Sequence, residues 1–356
     1  YQVLTEQFGN PSSQYPMGLE MKHRVSAWRS VVAQAVGCDA KSLFFTSCGT
    51  EADNWAITAA CWQNRRVGRH IVTTAVEHSA VIECCRWLER QGYEVTYVAP
   101  DANGDITAEQ ILSAVRPDTA VVSCMMVNNE LGNVYPIAEI AAGLSARNPQ
   151  TLLHTDAVQG FLKIPFAAKS LGADFITISA HKIGGPKGIG ALYAAKGSRV
   201  QPLYYGSGQE RGLHPGTENT PGACAFGLAA RQMWEAREEN MARFRQLRER
   251  LTEKLQKMPG VCINSPPDGA PYIVNLSLPG IPSEVMIHYL ERREIYVSGG
   301  SACAKGARSH VLTAMGLPVD RVDGALRVSF CRENTPGEVD EFCRQLALGL
   351  EELARK

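Results

Sequence analysis

The sequence lacks three features that mark specialised protein classes. Its longest apolar runs, such as residues 119–127, fall far short of the ~20 residues that a membrane span needs. Its charges cancel, with 36 Lys and Arg against 36 Asp and Glu, so charge gives no reason to expect a nucleic acid or a membrane as partner. Aromatic residues make up only 7%, yet 45% of positions are hydrophobic and 20% are charged, which excludes disorder, collagen and coiled coils.

The cysteines also lack the spacing of a disulfide scaffold or a zinc ribbon. There are eleven, an odd number, and no C-x-x-C pair is present. Most lie in apolar surroundings, as Cys61, Cys124 and Cys224 do, where a free thiol behaves as a small hydrophobic group. We therefore predict a reducing, cytoplasmic compartment and no metal site. We expect no secretory signal, and, since the chain begins at Tyr1 rather than at methionine, we expect further residues upstream.

Short β-rich runs alternate with helical patterns from about residue 42 to residue 193. The runs are apolar almost throughout, which is typical of a parallel or mixed sheet covered by helices on both faces. The predicted strands are residues 43–46, 70–74, 94–98, 119–125, 152–155, 175–179 and 190–194. The predicted helices between them are residues 51–62, 80–91, 107–115 and 136–146. This pattern predicts an α/β fold.

The remainder of the chain predicts a second, smaller α+β domain. Residues 223–258 form a long amphipathic stretch, which predicts one long helix ended by Pro259 and Gly260. Two strands and two helices follow, at residues 272–278, 283–292, 326–329 and 336–354. At roughly 100–200 residues per domain, the 356 residues fit two domains. We place a large domain at residues 1–230 and a small C-terminal domain at residues 231–356.

The first predicted strand ends in a candidate anion site. Functional groups of an open α/β sheet gather at the carboxyl ends of its strands, and here residues 46–51, TSCGTE, follow the strand and open a helix. Small residues and a hydroxyl at a helix N-terminus favour phosphate, because the backbone N–H groups and the helix dipole both attract an anion. An ordinary helix cap is the alternative that this segment alone leaves open.

Other strand ends deliver ionisable or amide side chains to the same edge. Glu77 and His78 follow the second strand, Asn129 the fourth, Asp156 the fifth and Lys182 the sixth. Each of these alone is most simply a cap or a satisfied polar residue. Several strands that deliver such groups to one edge are hard to explain in that way. Their convergence predicts a functional site.

The lysine indicates the chemistry of this site. Lys182 follows an apolar strand at residues 175–178, where a free ammonium is costly, so we expect it to be desolvated. A desolvated lysine is nucleophilic at neutral pH and suits Schiff-base chemistry. An aldehyde cofactor with a phosphate and a basic ring nitrogen would use the other groups as well. Pyridoxal 5′-phosphate fits this description.

Seven segments, in the same order and at the same spacing, closely resemble the cysteine desulfurases of the NifS/IscS type. They are SCGTEADN at residues 47–54, EH at 77–78, VNNELG at 127–132, TDAVQ at 155–159, SAHKIGGPKGIG at 179–190, GQERGLHPGT at 208–217 and SGGSAC at 298–303. These enzymes belong to the class V aminotransferase group of fold type I, pyridoxal-phosphate-dependent enzymes. The resemblance implies a large cofactor-binding domain with a mostly parallel sheet covered by helices, and a smaller C-terminal α+β domain that carries a catalytic cysteine loop.

The resemblance implies roles for five residues around the cofactor ring. Lys182 is implied to form the internal aldimine and to move protons at the substrate Cα. Asp156 is implied to keep the ring nitrogen protonated, and His78 to stack on the ring face. Asn129 and Gln159 are implied to contact the ring hydroxyl and its surroundings.

The resemblance also implies how the phosphate and the substrate are bound. Arg327 is implied to clamp the substrate carboxylate, a task that suits a bidentate guanidinium, and Asn129 is implied to contact the substrate as well. Thr217 matches a residue that reaches the phosphate from the other subunit of a homodimer. The remaining phosphate contacts are implied for Gly49, Thr50, Ser179 and His181.

Cys303 decides the expected reaction type. A structural cysteine is the default interpretation for any of the eleven, but Cys303 lies in a loop of small residues with Lys305 and Arg308 nearby. Those cations favour the thiolate, and the glycines allow the loop to travel. The resemblance implies that Cys303 attacks the sulfur of the bound substrate and becomes a persulfide, while alanine leaves.

Three departures from the family pattern stand out. His214 occupies a position where arginine is common, from which we expect weaker phosphate or dimer contacts. Cys331 follows Phe330 where glycine is usual, which adds a second thiol close to Arg327. The upstream strand and Ala-Thr-type segment with which the family begins are lacking.

The sequence therefore predicts a homodimeric enzyme that converts L-cysteine to L-alanine and passes sulfur through Cys303 to an acceptor protein, either an iron–sulfur scaffold or a tRNA or thiamine thiolation protein. Selenocysteine lyase and cysteine or cystine C–S lyase remain alternatives, because they would share every cofactor contact. A sulfur-carrier docking module with a decayed site is the non-enzymatic alternative. A nucleotide-binding loop at residues 184–190 is disfavoured, because it lacks the Lys-Ser/Thr ending and the following helix.

Overall fold

A computed structural model describes residues 1–299 and 308–353 of the protein. The chain forms two compact units. The first unit consists of Tyr1–Val98, Thr107–Met126 and Pro136–Arg237. The second unit consists of Ala99–Ile106, Val127–Tyr135 and Glu238–Lys356.

The first unit contains a seven-stranded sheet. Its strands are β1 Leu43–Thr46, β2 His70–Thr74, β3 Glu94–Val98, β4 Thr119–Ser123, β5 Leu152–Asp156, β6 Phe175–Ser179 and β7 Gly190–Ala194. Their order in the sheet is β1-β7-β6-β5-β4-β2-β3. Strands β3, β2, β4, β5 and β6 run parallel, while β7 is antiparallel to both β6 and β1. Because the central strands are apolar and fully buried, helices cover both faces, and the predicted α/β fold is confirmed.

The helices of the first unit contribute side chains to its hydrophobic core. They are α1 Gln2–Thr5, α2 Pro16–Val36, α3 Gly49–Gln63, α4 Ser79–Arg90, α5 Ala108–Ala114, α6 Ile137–Arg147, α7 Ala168–Leu171 and α8 Thr220–Glu235. Trp55 of α3 packs with the sheet residues Phe44 and Phe175 in one buried cluster. Helix α2 packs against α8, where a β-carbon on Gly227 would lie 2.6 Å from the Trp28 ring, so only glycine allows this approach.

The predicted long helix at residues 223–258 is two helices. Helix α8 ends at Glu235. The next residue, Ala236, has a φ of −96° and a ψ of 9°, outside the helical region, and α9 Arg237–Leu255 follows. Glu238 and Glu239 in the first turn of α9 stabilise a new helix N-terminus. The amphipathic pattern continued across this break, so the pattern alone did not reveal it.

The second unit has a three-stranded antiparallel sheet in the order β10-β9-β8, with β8 Cys262–Ile263, β9 Ile273–Ser277 and β10 Ala325–Ser329. Its helices, besides α9, are α10 Ser283–Glu291, α11 His310–Ala314, α12 Val319–Asp323 and α13 Pro336–Leu353. Buried side chains such as Leu251, Leu276 and Leu346 form its core. Every helix in the described ranges is too short or too polar to cross a bilayer.

Candidate active site

Polar side chains of the first unit gather where its parallel strands end. His78 follows β2, Asp156 is the last residue of β5, and Lys182 follows β6. Parallel neighbours bring these carboxyl ends to one edge of the sheet. Asn129 follows β4 along the chain but belongs to the second unit.

The N-terminus of α3 provides a place for an anion. The residue before the helix, Cys48, has an extended backbone and gives no side-chain cap to the first turn. Gly49 is buried against Val158 and Ser179: a β-carbon there would lie 3.0 Å from Val158 Cγ2 and 3.6 Å from Ser179 Cβ. Thr50 is exposed beside it. The start of α3 therefore combines first-turn backbone N–H groups with the buried hydroxyl of Ser179, the donor set that binds phosphate.

Ser179 and His181 are hydrogen-bonded to each other at this end of the sheet. The hydroxyl Oγ of Ser179 lies 2.8 Å from Nδ1 of His181. Burial lowers the pKa of His181, and the charges of Lys182, Lys187 and Lys163 lower it further. His181 is therefore neutral near pH 7, and its imidazole can act as a hydrogen-bonding group rather than as a cation.

Asp156 is a buried acid held in a fixed orientation. Its Oδ1 accepts a hydrogen bond of 2.8 Å from the backbone N–H of Val158. Burial and the charge of the nearby Asp53 raise the pKa of Asp156, while His78 and His154 lower it. The resulting pKa is about 7. A bound group that carries a proton on a basic nitrogen would supply the missing counter-charge.

His78 is oriented by the backbone of the helix it caps. Its Nδ1 accepts a hydrogen bond of 3.1 Å from the N–H of Ala80 at the start of α4. In the neutral ring this places the proton on Nε2. The half-buried ring acts electrostatically on Asp156, as expected if both residues face the same ligand.

Two further acids that the sequence analysis did not assign lie buried near Asp156. Burial raises the pKa of Asp53 to about 8, and His154 Nε2 lies 3.4 Å from its Oδ1. Burial also raises the pKa of Glu77, which accepts hydrogen bonds from Thr74 Oγ1 at 2.9 Å and from the Met125 N–H at 2.8 Å. Both residues lie inside quoted motifs, but only the fold shows that they surround Asp156.

Lys182 does not have the environment that the sequence predicted. Strand β6 ends at Ser179, and a short 3₁₀ turn, Ala180–Ile183, carries Lys182 away from the buried strand, so that its side chain is exposed in this chain. The expectation of a desolvated Lys182 is therefore wrong for the chain as described. Lys163, which follows β5, is buried instead, and burial together with the charge of Lys182 lowers its pKa to about 7.

Gln159 and Thr217 lie in different parts of the first unit. Gln159 is half-buried, and its Oε1 lies 3.4 Å from the Nζ of Lys163. Thr217 is exposed and lines a cavity of about 290 Å³ together with Ser47 and His214. The segment at residues 208–217 thus lies beside the turn that leads into α3.

The second unit holds the residues predicted to bind substrate. Nη1 of Arg327 donates a hydrogen bond of 3.1 Å to the carbonyl oxygen of Asn129, which is buried. The backbone of Arg327 is fixed by two hydrogen bonds with Ser298, of 2.6 and 3.2 Å. The structure therefore brings Arg327 and Asn129 together.

The cysteine loop is only partly described. Cys303 and Lys305 lie outside the described residues. Arg308, predicted to favour a thiolate, donates instead from Nε and Nη2 to the two carboxylate oxygens of Asp323, at 2.6 and 2.9 Å. Its charge is thus engaged by a neighbour that the sequence did not reveal, and Arg308 does not serve as a free cation.

The first unit fits a phosphorylated pyridine aldehyde. The start of α3 and Ser179 suit a phosphate, and buried Asp156 suits a protonated ring nitrogen. His78 and Lys182 supply an aromatic face and an amine at the same edge of the sheet. Across residues 1–299 and 308–353, no group of three or more His, Cys, Asp or Glu side chains has the arrangement of a metal site.

Comparison with known proteins identifies the family. The family model "Aminotransferase class-V" matches residues 1–342. The chain is 42% identical over 340 residues to "Cysteine desulfurase IscS" from Methanosarcina thermophila, covering 95% of this chain and 84% of that protein. It is 42% identical over 342 residues to "Cysteine desulfurase 2" from Trichormus variabilis, covering 95% and 85%.

A solved structure supports the same assignment. The fold superimposes on that of a "NIFS-LIKE PROTEIN" with a TM-score of 0.93 at 36% identity, covering 100% of this chain and 94% of the other. Enzymes of this kind generally depend on pyridoxal phosphate. The resemblance seen in the sequence motifs is confirmed: the chain belongs to the class V aminotransferase family, in its NifS/IscS-like cysteine desulfurase branch.

Proposed function

We propose that this enzyme is a pyridoxal-5′-phosphate-dependent cysteine desulfurase that converts L-cysteine to L-alanine and transfers the sulfur to Cys303. The observation that carries the proposal is the convergence of Lys182, Asp156, His78 and the start of α3 at one edge of the seven-stranded sheet. An amine, a buried acid, an aromatic face and an anion site are together what this cofactor requires. Family membership adds the reaction type.

The residues that would hold the cofactor follow from their chemistry. Asp156 would pair with the protonated ring nitrogen, and His78, fixed by the Ala80 N–H, would lie on the ring face. Gln159 and Asn129 would contact the ring hydroxyl and its surroundings. The phosphate would be held by Gly49, Thr50, Ser179 and His181, with Thr217 contributed by the second subunit of a homodimer.

The remaining groups would act on the substrate. When bound, the cofactor supplies an electron sink for the substrate Cα. Lys182 would carry the cofactor and then move the proton at Cα. Arg327, held by Asn129 and Ser298, would bind the substrate carboxylate through its guanidinium.

Cys303 would complete the reaction by accepting sulfur. Its thiolate attacks the sulfur of the bound cysteine, the S–S bond forms as the Cβ–S bond breaks, and the electron pair left on carbon takes up a proton. L-Cysteine and one thiol thus give L-alanine and one persulfide, and no outside oxidant is consumed. The persulfide sulfur would then pass to an acceptor protein, an iron–sulfur scaffold or a tRNA or thiamine thiolation protein.

We also propose a cytoplasmic location. Its support is the state of the ten cysteines outside residues 300–307, all of which are free thiols. Free thiols at this density suit a reducing compartment.

Purified protein reconstituted with pyridoxal 5′-phosphate tests the proposal. We expect a yellow protein that releases alanine from L-cysteine in a 1:1 ratio with sulfide when a reductant is present. Without reductant, alanine release should stop after about one equivalent per active site, because the persulfide is not cleared. A colourless protein would contradict the cofactor assignment. Turnover on selenocysteine but not on cysteine would identify a selenocysteine lyase instead.

A further inference from the structure

The turn after β5 holds a lysine inside the first unit. Lys163 is only 9% exposed, which is unusual for lysine, whose ammonium is costly to bury. The turn before it is tight, with Phe161 N–H bonded to the Ala157 carbonyl at 2.7 Å and Lys163 N–H bonded to the Gly160 carbonyl at 2.9 Å. Leu162 within it adopts a φ of 59°, a left-handed conformation that a residue with a β-carbon rarely takes. The turn that carries Lys163 is therefore strained at Leu162.

Lys163 determines which way the Gln159 amide faces. Its Nζ lies 3.4 Å from Gln159 Oε1. Nζ donates to that oxygen, so the amide oxygen faces Lys163, and the amide NH₂ is turned to the opposite side. With that orientation Gln159 presents a donor, rather than an acceptor, to a ligand.

Lys163 also acts on Lys182 through charge. Burial lowers the pKa of Lys163, and with the added effect of the Lys182 charge it falls to about 7. The interaction of two like charges is mutual, so a proton on Lys163 also disfavours a proton on Lys182. His181 lies on the same turn as Lys182. Burial lowers the pKa of His181, and the charges of Lys182 and Lys163 lower it further. Lys163, His181 and Lys182 therefore form one electrostatic group.

We propose that Lys163 is a positioning residue of the cofactor site, which turns the Gln159 amide N–H groups toward the cofactor ring hydroxyl and favours the neutral amine of Lys182. This inference rests on the proposed function, because it assumes that Lys182 binds the cofactor carbonyl carbon. In this proposal Lys163 acts on the cofactor only through Gln159 and Lys182. Its effects are electrostatic and orientational, so the charge of its side chain should matter more than its bulk.

Spectroscopic pH titration of the cofactor-loaded protein tests this proposal. The visible absorption of the bound cofactor reports protonation of the nitrogen that joins it to Lys182. In Lys163→Met, the loss of the cation and the release of the Gln159 amide both favour the protonated form of this nitrogen. The midpoint of the spectroscopic titration should therefore rise by about one pH unit. Loading of the apoprotein with pyridoxal 5′-phosphate at pH 7 should also slow several-fold, because less Lys182 is neutral.

Two control variants separate charge from packing. Lys169→Met removes an exposed lysine from the next helix and should leave both measurements unchanged. Lys163→Arg keeps the cation and should keep the wild-type midpoint. If Lys163→Met does not load, the titration of the neutral Lys163→Gln variant decides by the same criterion.

The outcomes separate this inference from the proposed function. A wild-type midpoint in either neutral variant overturns the role of Lys163 while leaving the desulfurase proposal intact. Loss of loading in both neutral variants but not in Lys163→Arg supports the requirement for a cation. Loss of loading in all three, with a lowered Tm, overturns it in favour of simple packing. A wild-type protein that shows no visible band when mixed with the cofactor contradicts the proposed function itself.

Discussion

His214 and Glu51 join the segment at residues 208–217 to the first turn of α3, with His214 Nε2 at 2.9 Å from Glu51 Oε1. The other carboxylate oxygen of Glu51 accepts the backbone N–H of Ser47 at 2.5 Å. The His214 ring lies edge to face with Tyr204, their centroids 6.0 Å apart. The residue that departs from the family pattern thus braces the turn that leads into the candidate phosphate site.

This pair predicts a pH-dependent contribution to stability. The hydrogen bond with Glu51 raises the pKa of His214. Burial alone would raise the pKa of Glu51, yet hydrogen bonds from His214 and Ser47 lower it to about 2. The stability that His214 contributes is therefore complete below the pKa of about 6.5 that it has in the unfolded chain. It is lost as pH rises through the higher pKa that His214 has in the folded chain. That of Glu51 is present above about pH 4.5 and is lost as pH falls toward 2.

His214→Ala should therefore lower the free energy of unfolding by about 1–2 kcal/mol near pH 5.5 and by clearly less near pH 9. Urea denaturation at the two pH values measures the difference. His288→Ala is the matched control, because His288 pairs with Glu291 at 3.1 Å on an exposed helix surface and such pairs contribute little. Equal losses for His214→Ala at both pH values would contradict the role of the ion pair.

Buried Asp53 predicts a second pH dependence, in which the substitution raises the free energy of unfolding rather than lowering it. Burial raises its pKa from 3.8 to about 8, so the folded chain binds its proton more tightly than the unfolded chain does. Apoprotein stability attributable to Asp53 is full below pH 3.8 and falls as pH rises toward 8. Asp53→Asn, which cannot ionise, should thus exceed wild type by about 1–3 kcal/mol at pH 8 and match it near pH 4. Asp268→Asn, at an exposed site, should change neither value.

Borohydride reduction should attach the cofactor to Lys182. Lys182→Ala should fold, because its side chain is exposed on a short turn, and should lose the visible band that borohydride otherwise traps. Peptide mapping of the reduced wild-type protein checks the assignment. Lys163 is the informative competitor, since it is buried and its pKa is lowered to about 7. An adduct on Lys163 or on Lys187 would show that the anchor is misassigned.

The sequence motifs and the geometry agree most closely where chemistry follows a buried strand. Asp156 ends β5, as the apolar run at residues 152–155 led us to expect, whereas the hydrogen bond between Arg327 and Asn129 was seen only in the structure. The position of Asp156 was predictable because this residue follows an apolar run of clear length.

Two side-chain pairs and the exposure of Lys182 were not predictable from the sequence. Arg308 pairs with Asp323 and His214 with Glu51, and no local pattern relates either pair. The exposure of Lys182 depends on the 3₁₀ turn after β6, since one turn of backbone decides whether a lysine stays with its buried strand or leaves it.

Subunit complementation tests whether the site is shared in a homodimer. Thr217 lines a cavity with Ser47 of its own chain, so its expected contribution to the second subunit needs a direct test. Mixing inactive Lys182→Ala and Thr217→Ala proteins under conditions of subunit exchange should restore about half of wild-type activity per hybrid dimer, because one of its two sites has both residues. No recovery after demonstrated exchange would place Thr217 in the site of its own chain.

Alanine release by Cys303→Ser is the most direct test of the desulfurase proposal. The variant should keep the visible band and bind L-cysteine, yet release alanine only at background, because no thiol accepts the sulfur. Cys331→Ser is the matched control: Cys331 is an exposed thiol four positions from Arg327, and burial raises its pKa, which disfavours the thiolate. This control should retain most turnover. Alanine release by Cys303→Ser at a near wild-type rate would contradict the account and identify a direct C–S or C–Se lyase.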